Sequence, residues 1–353
     1  IKGSNIEGVT ADDIQKMSSP WKKQFGQYAE EAFSAWYTAR YINSIAEAGK
    51  QIYSIPMTVN VMVGENWIRE AGLSYNSGAA VSRMLDVWKV AAPAIDVIGP
   101  DIYQENKREF AEICMSYDRV YDNPLYIPES PVSGVANAMN LIEAAGKYGA
   151  TGVFCFGAEF MLNEKEEISG ESCDIAISLQ TIAAMSPLLI SYRESGRIYA
   201  ITEEEFETER LLEIPPYHVV AHFLNSHEMN LGCTPRREYA EHHDARGRAL
   251  LVQTGENEFY LGGAGVCLDF IRIPEITNER RMSLMRSRAY SQLNFLSVEE
   301  GHFDSIKGET CEEQWTCDFR RNGDETNFSQ YVMDGELIRI RLNPSMDKEA
   351  NRE

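Results

Sequence analysis

At 353 residues the chain has two to three times the material of a usual domain, so a sizeable core can be buried and two domains are the default expectation. Apolar residues at 44% and charged residues at 25% match globular proteins, and 10% aromatics exclude a disordered chain. Subtracting 54 acidic from 33 basic residues leaves a formal charge of -21, which repels phosphate backbones and anionic lipid and argues against nucleic-acid and membrane partners.

The spacing predicts a helix over 29–49, with Ala29, Phe33, Trp36, Ala39, Ile42, Ile45 and Ala46 on one face and Gly49 as its stop. Residues 52–60, rich in β-branched and aromatic side chains, read as a strand ending in Asn60. A helix over 77–92 carries Val81, Leu85, Trp88 and Ala92 in register. It is followed by a strand at 95–98, a helix at 109–117, a strand at 125–127, a helix at 135–148, a strand at 152–156 and a long helix at 174–190. No apolar run in this reading approaches the roughly 20 residues needed to cross a bilayer.

Strict β-α alternation with short apolar strands implies parallel strands covered by helices, either an open doubly wound sheet or part of an eight-fold (β/α) barrel. Barrels gather chemistry at the C-terminal ends of their strands. Here the strands finish in Asn60, in Asp101-Ile102-Tyr103, in Glu129 and in Gly157-Ala158-Glu159, which favours the barrel. The expected fold class is α/β, the C-terminal half of a TIM (β/α)8 barrel over residues 1–195. An antiparallel β domain is expected over 196–353, where alternating segments at 210–214, 217–223, 249–253, 258–261, 266–271, 314–319 and 336–342 are separated by turn residues. Gly262-Gly263-Ala264-Gly265 reads as a hairpin bend, and 225–248 as a polar surface loop.

Glu129 is the sharpest chemical candidate, because Leu125-Tyr126-Ile127-Pro128 delivers its carboxylate to the rim, where it can attack an anomeric carbon. Its competing role is to cap a helix or pair with an Arg. Tyr103 offers a phenol that can hydrogen-bond the nucleophile, or a rim aromatic packed against a loop. Asn60 can donate to a sugar hydroxyl or close a turn, Trp67 can stack on a pyranose ring or pack in a loop, and Glu159 can bind hydroxyls or form a salt bridge.

Several stretches in order resemble β-galactosidase-like glycosidases of the glycoside hydrolase family 35 type. They are Glu31 to Tyr37, Ala48-Gly49-Lys50, Ile55 to Asn60, Asp86 to Lys89, Ala92 to Asp96, Pro100 to Tyr103 and Asn123 to Glu129. Gln253 to Phe259, Glu299-Glu300-Gly301 and Asn322 to Thr326 are similar to the β-rich C-terminal domain that accompanies the barrel in one bacterial branch. The resemblance implies a retaining hydrolase of terminal β-galactosides with Glu129 as nucleophile at the end of the seventh strand. It also implies an acid/base Glu, in an Asn-Glu pair ending the fourth strand, a few residues upstream of Ile1, since Ile1-Lys2-Gly3-Ser4 looks like the loop that follows it. The chain alone is then expected to be inactive on ordinary galactosides, because the retaining mechanism needs both carboxyls. The alternatives are a non-catalytic carbohydrate-binding protein and an inactive fragment.

No cofactor is implied, since two carboxylates supply acid, base and nucleophile. No metal is expected either: His227, Cys233, His242 and His243 match no established ligand spacing and read as solvated loop residues. Seven scattered cysteines without a Cys-x-x-Cys pair suit reduced thiols and a cytoplasmic address. The expected partner is a carbohydrate.

Overall fold

The structure, a computed structural model, describes residues 20–63, 70–119, 122–205, 207–223, 246–272, 295–304, 310, 314–321 and 330–343. It divides into two compact units, Ile1–Ser130 with Thr151–Phe154, and Pro131–Ala150 with Cys155–Glu353.

In the first unit, α1 (Ala29–Ile52) buries a stripe of small residues, Ala29, Ala32, Ala35, Ala39 and Ala46, which admits close neighbours. The helix runs past Gly49 to Ile52. Gly49 is therefore not the stop that the sequence suggests: a Cβ there would lie 2.8 Å from Met57 Cε, so its role is close packing against the strand that follows. Glu31 is buried on the same helix and is held by Arg83 Nε and the Tyr75 hydroxyl, which supply the partners a buried carboxylate requires. The predicted helix over 77–92 shortens to a 3-10 turn, Ser82–Met84, and α2 (Leu85–Ala91), after Gly78 in a left-handed conformation. Trp88 Nε1 donates to the Gly78 carbonyl, fixing this turn against the helix.

Strands β1 (Thr58–Met62) and β2 (Val97–Asp101) pair in parallel, Asn60 opposite Gly99 and Met62 opposite Asp101. Helix α3 (Lys107–Tyr117) follows, with the Asn106 side chain accepting from the amides of Arg108 and Glu109 as an N-cap. The chain then returns beside β2. Asp101 bridges Glu129 in parallel, with the Ile102 amide donating to the Glu129 carbonyl, and Ile127 bridges Val153 in parallel in turn. Four parallel segments thus lie side by side in chain order, the third and fourth shorter than the sequence indicates because each pairs over a single bridge. Asn123, fully buried, uses its side-chain amide to accept from the Ile98 amide and to donate to the carbonyls of Ile98 and Tyr117, so a side chain fills the place of a ladder partner.

The second unit holds α4 (Val135–Gly146), α5 (Cys173–Tyr192) and eight antiparallel strands: β3 (Ile198–Thr202), β4 (Glu209–Ile214), β5 (Tyr217–Phe223), β6 (Arg248–Gly255), β7 (Glu258–Arg272), β8 (Phe295–Phe303), β9 (Trp315–Arg321) and β10 (Gln330–Leu342). Their order is β3-β6-β7-β10-β8-β9, with β5 pairing both β7 and β4. Alternation sorts the side chains: Leu250 and Val252 of β6 join Ile142, Met185 and Leu188 from the helices, while Ala249 and Leu251 face a second cluster with Tyr217, Phe259 and Phe270. Both faces of the sheet are therefore covered, which is why β6 reads as a continuous apolar run despite its antiparallel neighbours.

Gly262-Gly263-Ala264-Gly265 is not a hairpin bend. It lies inside β7, where a Cβ on Gly262 would meet Met185 Sδ at 2.7 Å and one on Gly263 would meet the Arg248 carbonyl at 2.2 Å. The glycines let α5 and β6 approach the strand closely, and the hairpin turns at Gly255 to Glu258 instead. The segment Gly170–Tyr192 is long and apolar enough by length and composition to span a bilayer, longer than any run anticipated from sequence. Its buried residues, Ile175, Ser178, Thr181, Met185 and Leu188, and its packing against α4, β6, β7 and β10 are those of a helix laid on a sheet.

Candidate functional site

Side chains from three parallel segments of the first unit meet at Glu129, although Asn60 is the middle residue of β1, which starts at Thr58 and runs two residues past the end expected from sequence. One carboxylate oxygen, Oε2, accepts from the Tyr103 hydroxyl at 2.9 Å, and the other, Oε1, accepts from Asn60 Nδ2 at 3.3 Å. Asn60 belongs to β1, Tyr103 stands two residues past β2, and Glu129 ends the third segment, so strand pairing brings together groups far apart in sequence. Buried Ile127 and Leu125 anchor the segment behind Glu129. Ser130 beyond it donates to the Phe154 carbonyl, which fixes the chain on both sides of the carboxylate. Tyr103 is 48% exposed, so the donors sit where solvent or a ligand reaches them.

A second carboxyl completes the group. Asp101 is the parallel register partner of Glu129, and its Oδ1 is buried and has no hydrogen-bonding partner among the described residues. Burial, followed by the charge of Glu129, raises the Asp101 pKa to about 6. An acid whose pKa is raised in the folded state binds its proton more tightly there than in the unfolded chain. Its contribution is fully present below the unfolded value of 3.8 and is lost as pH rises to about 6. Asp101→Asn is therefore expected to match the parent in thermal stability at pH 3.5 and to exceed it at pH 7.5. The gain should be about 1 kcal/mol after allowance for partial solvent screening. Melting curves at the two pH values check this, and equal differences at both would contradict it.

Of the residues singled out from sequence, Asn60, Tyr103 and Glu129 come together. Glu159 lies exposed in a 3-10 turn, Ala158–Met161, of the second unit, behind Gly157 in a left-handed conformation. Trp67 lies outside the described residues, as do His227, Cys233, His242 and His243. Among the described residues no three His, Cys, Asp or Glu side chains converge as a metal site would require. The Asp101–Glu129 juxtaposition escaped the sequence reading, although a signal was present: Ile98-Gly99-Pro100-Asp101 and Ile127-Pro128-Glu129 each end a buried strand in Pro followed by an acid.

Such a site holds one carboxylate oriented by two donors beside a second acid, one of whose oxygens is buried. A nucleophile facing a developing positive charge needs this arrangement. Residues 175–333 match the family described as a domain of unknown function, DUF5597, which takes in most of α5 and the sheet down to β10 and amounts to less than half of the chain. No curated protein matches the chain.

Proposed function

We propose that this chain carries the nucleophile of a retaining glycoside hydrolase that acts on terminal β-galactosides, on the C-terminal half of a (β/α)8 barrel similar to glycoside hydrolase family 35. The observation that carries the reading is the pair of hydrogen bonds from Tyr103 and Asn60 to opposite oxygens of Glu129, drawn from three neighbouring parallel segments. The chain-order succession of parallel segments, with polar groups at their C-terminal ends, supports the barrel part of the reading.

In the mechanism, a Glu129 oxygen bonds to the anomeric carbon while the glycosidic bond breaks and the leaving oxygen takes a proton from a second carboxyl about 5 Å away. That second group then removes a proton from water, which attacks the same carbon and releases Glu129. That second carboxyl is the acid/base Glu of an Asn-Glu pair that the resemblance to glycoside hydrolase family 35 implies. Tyr103 and Asn60 hold the attacking carboxylate in one orientation, and the two hydrogen bonds loosen as its charge is lost to the new bond.

The test uses the polypeptide that carries both carboxyls, treated with an activated 2-deoxy-2-fluoro-β-galactoside. Digestion and mass spectrometry should place the sugar on the Glu129 peptide, and a label on another residue would overturn the assignment. Tyr103→Phe in the same polypeptide is expected to lower kcat by about 10- to 100-fold, the worth of one hydrogen bond to a charged group. Steady-state kinetics with an unactivated galactoside measure the loss.

A further inference from the structure

We propose that Asp101 is the positioning residue that sets the charge of Glu129: when the two carboxyls take up a proton, Asp101 carries it, and Glu129 stays ionised between its donors. The use of this arrangement rests on the nucleophile role proposed for Glu129, but the arrangement itself does not.

The geometry makes the two acids unequal. They are register partners on neighbouring parallel segments, so their side chains leave the same face of the sheet. Glu129 receives one donor on each oxygen, and both bonds favour its charged form. Asp101 Oδ1 is buried and receives none among the described residues, so charge on that oxygen has no hydrogen bond to offset its lost hydration. Its neighbour on the other side is Met62, its register partner on β1, which neither donates to it nor titrates. Among the described residues the charged group acting on Asp101 is Glu129 from the adjoining segment, with Tyr103 and Asn60 bonded to that same carboxylate.

Two interacting acids lose their protons in steps that belong to the pair, and here the site preference is decided by where the donors point. Below the upper step Asp101 is neutral and Glu129 is an anion. Above it both are charged, Glu129 is repelled by its partner, and the repulsion is relieved when Glu129 forms a neutral ester with the sugar. The rate of ester formation should therefore rise through the upper step.

The decisive measurement is a carbon-detected NMR titration of the full-length protein labelled at the Asp and Glu carboxyl carbons. Asp101 should show the main step near pH 6, and the Glu129 carbon a small step at the same pH as it senses the new charge beside it. The small step should vanish in Asp101→Asn and return in Asp101→Glu, and Glu129→Gln should move the Asp101 midpoint down. In parallel, inactivation by the fluoro-galactoside, which needs no proton donor, should accelerate through the same pH in the parent and in Asp101→Glu but not in Asp101→Asn. A main step at Glu129, or no step shared between the two, overturns the inference whatever the enzyme does. A correct titration with no sugar on Glu129 instead leaves the charge assignment standing and removes the nucleophile reading.

Discussion

Glu129→Gln, in the polypeptide that carries both carboxyls, is expected to reduce β-galactoside hydrolysis by roughly 10⁴-fold or more while leaving ligand affinity within about threefold. The amide has nearly the shape of the acid but no charge and little nucleophilicity, so the first chemical step is lost rather than binding. Hydrogen bonds to the site survive in part, since the amide oxygen still accepts from Asn60 Nδ2 or the Tyr103 hydroxyl. Glu129→Gly opens the space the carboxylate fills. Azide added to that variant should then attack the anomeric carbon of an activated substrate from the same face and give the inverted glycosyl azide. Kinetics with an activated and an unactivated galactoside, beside calorimetric titration with an unreactive one, separate the readings. Lost turnover with kept binding marks the nucleophile, whereas unchanged turnover would remove Glu129 from the chemistry. A carbohydrate-binding protein without catalysis would bind in both forms and turn over in neither.

Local periodicity carried much of this fold. The helices α1, α4 and α5 and the strands β4, β5 and β6 form near where sequence spacing places them, because each depends on residues a few positions apart, but α1 buries Ala29, Ala32, Ala35, Ala39 and Ala46 rather than the expected face with Phe33, Trp36, Ile42 and Ile45. Glycine was harder to read. Gly49 and Gly262 look like punctuation in one dimension, yet each is where another segment approaches too closely for a Cβ, and that neighbour is remote in sequence. For the same reason the segments at 258–261 and 266–271 emerged as one strand, β7, and β3 and β8 went unseen between stronger signals. At the site, Glu129 and Tyr103 could be located as polar residues at or just past strand ends, whereas Asn60, expected to end its strand, is the middle residue of β1. That Asp101 faces Glu129 is a statement about register, which no single segment encodes. Asn123 illustrates the same limit: it looks like a turn residue beside Pro124, but it is buried and bonded to both polar groups of Ile98.

Arg248→Ala is expected to destabilise the second unit by about 3–5 kcal/mol, the range for stripping one partner from a buried charged network. Arg248 is 1% exposed at the start of β6 and reaches into α5, where Nε donates to Ser178 Oγ and Nη2 to both the carbonyl and the carboxylate of Asp174. Nη1 turns back to the Arg246 carbonyl, so the guanidinium is satisfied on three sides and pins helix to sheet. Removing it leaves a cavity and several acceptors without donors. Arg248→Lys should recover only part of the loss, since one ammonium cannot span three separated acceptors. Asp174→Ala should cost a comparable amount, about 3 kcal/mol, because it leaves the guanidinium, 1% exposed, with neutral acceptors but without the anion paired with it. Urea unfolding of the three variants orders them. A loss below about 1 kcal/mol for Arg248→Ala would show that the guanidinium's desolvation outweighs its bonds and that α5 is held on the sheet by apolar contacts, Met185 and Leu188 among them.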